Sequence, residues 1–227
     1  ILADVFYNQP SHKLHVISIT GTNGKTTTSH YIEKIFHYSG KKTGMIGTIH
    51  TKIDDEKIPA KNTTPDALLL QKTLHKMVKK QVDMVVMEVS SHALELGRVR
   101  GCDVDIAVFT NLSHDHLDFH KSMEEYRNAK GLLFSGLGNA YNLEKPKIAI
   151  INEDDPATSF YKKITSAQVM TYGINNKSDL MAKNVQFTAE GTYFDLHYGN
   201  KVEQVYFPLL GEFNVYNILA AICACYV

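Results

Sequence analysis

Hydrophobic and polar positions follow two different rhythms along the chain. His15–Thr20 is a β-branched apolar run that ends at Gly21 and reads as a buried strand. Beyond a glycine-containing turn, Tyr31, Ile32, Ile35 and Phe36 recur at helical spacing between Thr26 and Ser39, with Gly40 as a C-terminal stop. Similar units follow. Pro65–Lys80 reads as a helix with proline near its first turn and lysines at its end. Short apolar strands are expected at 84–88, 106–110, 148–151 and 169–172, with helices over 122–135 and 156–164. Strands alternating with helices of this length imply a mainly parallel sheet covered on both faces.

From about Met181 the pattern changes to period 2. Segments 184–189, 192–198 and 202–207 are separated by Glu190-Gly191 and Gly199-Asn200, which suit hairpin turns. The expected fold is therefore α/β: a mainly parallel sheet with helices on both faces, as in P-loop NTPases, plus a small antiparallel sheet. No linker-like stretch separates the two, so 1–227 reads as one domain, with the small sheet at 181–207 inside it.

Composition narrows the function. The 227 residues carry 24 Lys+Arg against 24 Asp+Glu, and this balance removes the electrostatic case for a nucleic-acid or membrane-surface binder. No apolar run approaches the roughly 18 residues needed to cross a bilayer. Cys102, Cys223 and Cys225 form neither an even framework nor a C-x-x-C pair. Cys223 and Cys225 read as buried thiols in a helix, and a reducing cytoplasm fits. The chain opens without Met and stops inside an apolar helix, which reads as an excerpt of a longer protein.

Gly21-Thr22-Asn23-Gly24-Lys25-Thr26-Thr27 sits between the first strand and the first helix, where a phosphate-binding loop belongs. Its glycines let backbone N–H groups turn toward an anion, and the helix N-terminus adds partial positive charge. Lys25 can reach β- and γ-phosphates, and the Thr26 hydroxyl is placed to ligate Mg²⁺. Only two residues separate Gly21 from Gly24, two fewer than in a standard Walker A loop.

Glu88 ends an apolar strand, a position from which it can hold the nucleotide's Mg²⁺ or cap a following helix. Residues 114–120 hold three histidines and two aspartates. His116 and His120 would share a face if helical, so zinc competes here with Mg²⁺ chemistry using one histidine. Leu117 and Phe119 read as core. By residue type alone, Lys130 reads as a solvated helix lysine.

Together these motifs resemble the Mur ligases, the ATP-dependent amide-forming ligases of bacterial cell-wall synthesis. The resemblance rests on Thr20-Gly-Thr-Asn-Gly-Lys-Thr-Thr27, Asn62-Thr63-Thr64-Pro65, Met87-Glu88-Val-Ser-Ser-His92, Thr110-Asn111-Leu-Ser-His-Asp-His-Leu-Asp-Phe-His120, Lys130 and Gly211-Glu-Phe-Asn214-Val-Tyr-Asn217. It runs in order from about residue 5 to the end. Phe6-Tyr7-Asn8-Gln9-Pro10-Ser11 and Ser90-Ser91-His92-Ala93-Leu94 are most similar to the member that adds the third amino acid of the stem peptide.

The resemblance implies the central ATP-binding domain of a three-domain enzyme, with 1–14 as the end of a linker from an N-terminal domain and a C-terminal domain beyond. It implies ATP and two Mg²⁺ ions as cofactors, a UDP-muramoyl dipeptide and an amino acid as partners, and a monomer. Gly21, Thr22, Asn23, Gly24, Lys25, Thr26, Thr27, Asn111, Asn214 and Asn217 would bind ATP, with the last two asparagines at adenine. Lys25 would contact the γ-phosphate, Thr26 and Glu88 the first Mg²⁺, and His116 the second. Lys130 matches the family's carbamylated lysine, which organises that second ion. Thr63, Thr64, Ser90 and Arg98 match positions around the muramoyl-peptide substrate, although Leu96-Gly97 replaces a polar Gln-His found in some relatives. The implied chemistry is an acyl phosphate followed by amide formation. Two rivals remain: a folylpolyglutamate synthetase, whose loop typically reads Gly-Lys-Gly-Ser, and a switch-type or non-catalytic nucleotide-binding module.

Overall fold

The computed structural model describes residues 1–115, 119–139 and 146–227. A short helix α1 (Leu2–Phe6) and a 3₁₀ turn (Pro10–Lys13) lead into β1 (His15–Thr20), α2 (Lys25–Tyr38), β2 (Thr43–Ile46), β3 (His50–Ile53), β4 (Glu56–Pro59), α3 (Ala67–Lys79) and β5 (Met84–Glu88). There follow α4 (Ser91–Glu95), β6 (Ile106–Phe109), α5 (Met123–Ser135), β7 (Ile148–Asn152), α6 (Thr158–Ile164) and β8 (Gln168–Gly173). The chain closes with β9 (Leu180–Thr188), β10 (Gly191–Tyr198), β11 (Lys201–Phe207) and α7 (Glu212–Tyr226).

The strands build one sheet in the order β11-β10-β9-β8-β7-β6-β1-β5-β2-β3-β4. Its middle is parallel: β1 pairs with β5 and β6, β6 with β7, and β7 with β8. Side chains of β1 alternate between the two faces, and each face has its own core. Ile17 and Ile19 pack with Ile32 of α2 and with Val215 and Leu219 of α7. Val16 packs on the other side with Leu70, Leu74 and Met77 of α3, Phe134 of α5 and Tyr161 of α6. Parallel strands covered on both faces must be apolar throughout, which accounts for the fully buried runs of β5, β6 and β7.

The expected fold class holds, with three differences. The period-2 segments continue the main sheet, because β9 pairs in parallel with β8 at Tyr172–Leu180 and Gly173–Met181. Residues 43–59, to which the sequence pattern gave no strand, add β2 and the antiparallel pair β3–β4. β2 holds a glycine and only four residues, and it is a strand because β5 lies beside it. The third difference is at α3, where Asp66 is the N-cap, accepting a bond from the Leu69 N–H at 3.0 Å, and Pro65 precedes the helix.

The first 14 residues pack onto the body, with Asp4, Pro10 and Ser11 buried. Cys223 is buried, whereas Cys225 and Cys102 are half-buried. Among the described residues no helix is long and apolar enough to cross a membrane.

At the amino end of β6, the buried Asp105 accepts bonds from the Val16 N–H at 2.8 Å and Lys147 Nζ at 2.8 Å, with His15 Nδ1 at 3.1 Å. Burial alone would raise its pKa, but these partners outweigh it and bring it down to about 2. Its contribution is therefore present above 3.8 and lost as pH falls through about 2. Asp105→Ala is expected to lower the unfolding free energy at neutral pH by about 3–5 kcal/mol. Urea titrations should show this gap narrowing below pH 3.8; a gap that does not change with pH would contradict the assignment.

Candidate functional site

The carboxyl ends of β1, β5, β6 and β7 point the same way, and the residues just beyond them form the site, as in other open α/β sheets. Both loop glycines are forced by close approaches. Gly21 has φ +149°, and a Cβ there would sit 1.9 Å from Thr110 Oγ1. Gly24 has φ +86°, and a Cβ would lie 2.1 Å from Asn217 Oδ1.

The loop is clamped from behind. Asn111 Oδ1 accepts the Asn23 N–H at 3.0 Å and its Nδ2 donates to the Asn23 carbonyl at 3.1 Å. The Thr110 hydroxyl donates to the same carbonyl at 2.7 Å. The first bond inside α2 runs from the Thr28 N–H to the Gly24 carbonyl, so the N–H groups of Lys25, Thr26 and Thr27 lack intrahelical partners. A side-chain cap is missing as well. An anion can take these donors.

Lys25 Nζ folds back onto the loop, donating to the carbonyls of Gly21 at 2.9 Å and Thr22 at 2.8 Å. Lys130 Nζ reaches the same Gly21 carbonyl from α5, also at 2.9 Å. The solvated reading of Lys130 is overturned, because the residue is only 1% exposed. Burial, together with the neighbouring Lys25 charge, depresses its pKa to about 6, with Asp115 acting in the opposite sense. Burial also lowers the pKa of Lys25, against the pull of Glu88 and Asp115. At neutral pH Lys130 is therefore mostly a free amine. It sits 4.2 Å over the ring of Tyr126, whose hydroxyl lies 3.2 Å from Thr22 Oγ1.

Glu88 does not cap α4; Ser90 does, accepting the Ala93 N–H at 3.2 Å. Instead, Glu88 Oε2 accepts the Thr26 hydroxyl at 2.7 Å and the Thr48 hydroxyl at 2.9 Å, and Oε1 accepts the Thr48 N–H at 3.0 Å. With its proton directed to Glu88, Thr26 Oγ1 keeps its lone pairs for a cation. This all-oxygen donor set fits Mg²⁺. Thr64 links Glu88 to the next segment: its hydroxyl donates to the Glu88 carbonyl at 3.0 Å and accepts the Ser90 N–H at 3.1 Å. Arg98 donates to the Thr64 carbonyl at 3.0 Å.

Two cavities share the phosphate loop. One, of about 510 Å³, places Lys25 and Thr26 opposite Thr63, Thr64, Ser90, His92 and Arg98. The other, of about 570 Å³, lies between Asn23 and Asn111 on one side and Asp154, Asp155, Phe213, Tyr216 and Asn217 on the other. Asn214 is not in that lining. It accepts the Asn217 side-chain amide at 3.3 Å and so holds Asn217 in place.

Thr48, Tyr126, Asp154 and Tyr216 were not visible as site residues in the sequence. Asp154 accepts N–H groups of Ile174, Asn175 and Asn176 and the Tyr216 hydroxyl, which ties the second cavity's wall together. Of these, Tyr126 stands one helical turn before Lys130 and Tyr216 stands inside the Gly211–Asn217 motif, whereas Thr48 and Asp154 lie in no motif.

His116 and Leu117 lie outside the described residues. His120 is buried with Nε2 2.9 Å from Ser91 Oγ and stacks near Tyr126. Phe119 departs from its core reading: it is 41% exposed and rests on His92, with ring centroids 3.9 Å apart. α5 begins only at Met123, so residues 119 and 120 are not helical. Among the described residues, no group of three or more His, Cys, Asp or Glu is arranged to hold a metal.

Comparison with known proteins gives a consistent picture. A family model described as the Mur ligase middle domain matches residues 19–225. The UDP-N-acetylmuramoyl-L-alanyl-D-glutamate–2,6-diaminopimelate ligase of Bacillus cereus is 60% identical over 224 residues, covering 99% of this chain and 46% of that protein. The chain thus spans about half the length of the curated relatives it matches. A solved structure of a ligase of the same name superposes with TM-score 0.81 at 36% identity, covering 94% of this chain and 43% of that one. Folylpolyglutamate synthase of Mycobacterium tuberculosis, solved with ADP and AMPPCP, shares the fold at TM-score 0.76 and 18% identity, covering 98% of this chain and 56% of that one.

The buried amine has a thermodynamic signature. Because the pKa of Lys130 falls from 10.5 to about 6 on folding, the folded state holds fewer protons than the unfolded chain between those values. Its unfolding free energy should therefore rise with pH across that window, by at most about 1.4 kcal/mol per pH unit. In CO₂-free buffer, wild type should gain on Lys130→Met between about pH 7 and pH 9 in urea unfolding. Parallel stability curves would show that the amine is charged when folded.

Proposed function

Because the chain belongs to the Mur ligase family, we propose that it is the central ATP-binding domain of an enzyme that joins 2,6-diaminopimelate to UDP-N-acetylmuramoyl-L-alanyl-D-glutamate. The observation that carries this reading is the first cavity, where the phosphate loop faces Thr63, Thr64, Ser90 and Arg98 across a gap that an ATP tail and a substrate carboxylate can share. Diaminopimelate is supported by relatives at 51–60% identity that are named as diaminopimelate ligases. The segments that grip the uridine nucleotide and bring the amino acid would lie outside these residues, and the enzyme would work in the cytoplasm as a monomer.

In this mechanism the N–H groups of Lys25, Thr26 and Thr27 and the loop backbone take the phosphate tail, and Lys25 leaves the loop carbonyls for the γ-phosphate. Asn217, braced by Asn214, and Asn111 border the cavity for the adenosine end. Thr63, Thr64, Ser90 and Arg98 hold the muramoyl peptide so that its carboxylate meets the γ-phosphorus in line. The carboxylate forms the new P–O bond as the bond to ADP breaks, giving an acyl phosphate. The incoming amine then adds to that carbonyl, loses a proton and expels phosphate. Thr26 and Glu88 would hold one Mg²⁺, and His116 with carbamylated Lys130 a second; when bound, the ions neutralise charge on the transferring phosphoryl group. A free amine is the form of lysine that adds CO₂, which supports the carbamate at Lys130.

The folylpolyglutamate reading shares this fold, but Gly24-Lys25 is followed here by Thr26-Thr27 rather than Gly-Ser. ADP formation that needs both the muramoyl dipeptide and diaminopimelate is the expected result. Formation with folate substrates, or with neither substrate, would favour a rival. In the full-length enzyme, Lys25→Ala should lower turnover by about 10²–10³-fold or more; near-normal phosphate release would remove Lys25 from the mechanism. Lys130→Ala should lose activity that short carboxylic acids partly restore, and failure of every small acid would weigh against the carbamate.

A further inference from the structure

The two walls of the first cavity are joined by a run of hydroxyls whose middle member, Thr48, the mechanism above does not use. Thr63 Oγ1 lies 3.1 Å from Thr48 Oγ1, Thr48 Oγ1 donates to Glu88 Oε2 at 2.9 Å, and Thr26 Oγ1 donates to the same oxygen at 2.7 Å. Each hydroxyl has a single proton. Since Thr48 spends its own on Glu88, Thr63 must be the donor to Thr48. The order of donation is therefore set: Thr63 to Thr48, Thr48 to Glu88.

Thr48 stands in the turn between β2 and β3, and two features fix it against Glu88. Its N–H donates to Oε1 at 3.0 Å. Gly47 just before it is so close that a Cβ there would fall 2.2 Å from Oε1. The carboxylate thus receives donors on both oxygens from one residue, and that residue also touches the wall assigned above to the muramoyl peptide. All three threonines open onto the same cavity.

We propose that Thr48 is a positioning residue that couples the two ligands: occupancy at Thr63 is transmitted through the Thr48 hydroxyl to Glu88 and Thr26, beside the phosphate loop. An anionic substrate group that accepts the Thr63 hydrogen bond takes that donor away from Thr48. Thr48 then re-aims its hydroxyl, and the hydrogen bonding of Glu88 and Thr26 changes with it. Binding of peptide substrate and of nucleotide are thereby linked, and by thermodynamic reciprocity each shifts the affinity for the other by the same factor. The inference rests on the ligase reading for the identity of the peptide ligand.

The test is calorimetric binding of a magnesium–AMPPCP complex to the full-length enzyme, with and without UDP-muramoyl dipeptide. Wild type should show a coupling factor of about 5 or more. Thr48→Val, which keeps shape and backbone N–H but lacks the hydroxyl, should bring that factor close to one while each ligand still binds. Thr48→Ser should retain it. Thr63→Val should lose the same coupling, and the double variant should lose no more than either single one. Unchanged coupling in Thr48→Val, or no coupling in wild type when both ligands bind, overturns the relay and leaves the ligase reading standing. A wild-type enzyme that binds AMPPCP but not the dipeptide overturns both.

Discussion

One backbone carbonyl organises this site. The oxygen of Gly21 receives Lys25 from the start of α2 and Lys130 from the middle of α5, both at 2.9 Å. Burial disfavours a charged ammonium at this oxygen, and the second amine beside it adds repulsion. Lys130, the more deeply enclosed, is depressed to about 6. The same contact ties the phosphate loop to α5, with Tyr126 and Thr22 packed around it. The loop is thus held in shape by groups that an anion can compete for, and Lys25 is available when one arrives.

The sheet order explains why these residues meet. β1 lies between β5 and β6, so Thr20, Glu88 and Thr110 end side by side although far apart in sequence. Each contributes a different function. β1 leads into the loop, β5 supplies the carboxylate, and β6 delivers Thr110 and Asn111, which clamp Asn23. β7 and α7 add the second cavity through Asp154, Tyr216 and Asn217. Two core layers, one under α2 and α7 and one under α3, α5 and α6, keep these strand ends in register.

Much of this was legible in the amino-acid order because the relevant signals are local. A β-branched run followed by glycines and a lysine fixes strand, loop and helix within a dozen or so residues, and the helix expected from Ser122 forms with that serine as its cap. What stayed hidden depends on distant partners. Thr43–Ile46 becomes a strand only because β5 lies beside it, and β4 is exposed along its whole length, so neither shows an apolar period. Lys130 looks like any helix lysine until α5 is laid against the loop. Thr48 sits in a turn without periodicity, and its importance comes from Glu88, forty positions away. The motif resemblance singled out Lys130, but its burial and its neutral amine come from the packing.

Whether the Lys130 amine is neutral in the folded protein can be measured directly. With lysine side chains labelled at Cε, an NMR titration assigned by comparison with Lys130→Met should show one signal changing near pH 6, far below the ordinary lysine value of 10.5. If every lysine in the folded protein instead titrates around 10.5, the buried pair at the Gly21 carbonyl does not force a proton off, and the account of the site built on it fails.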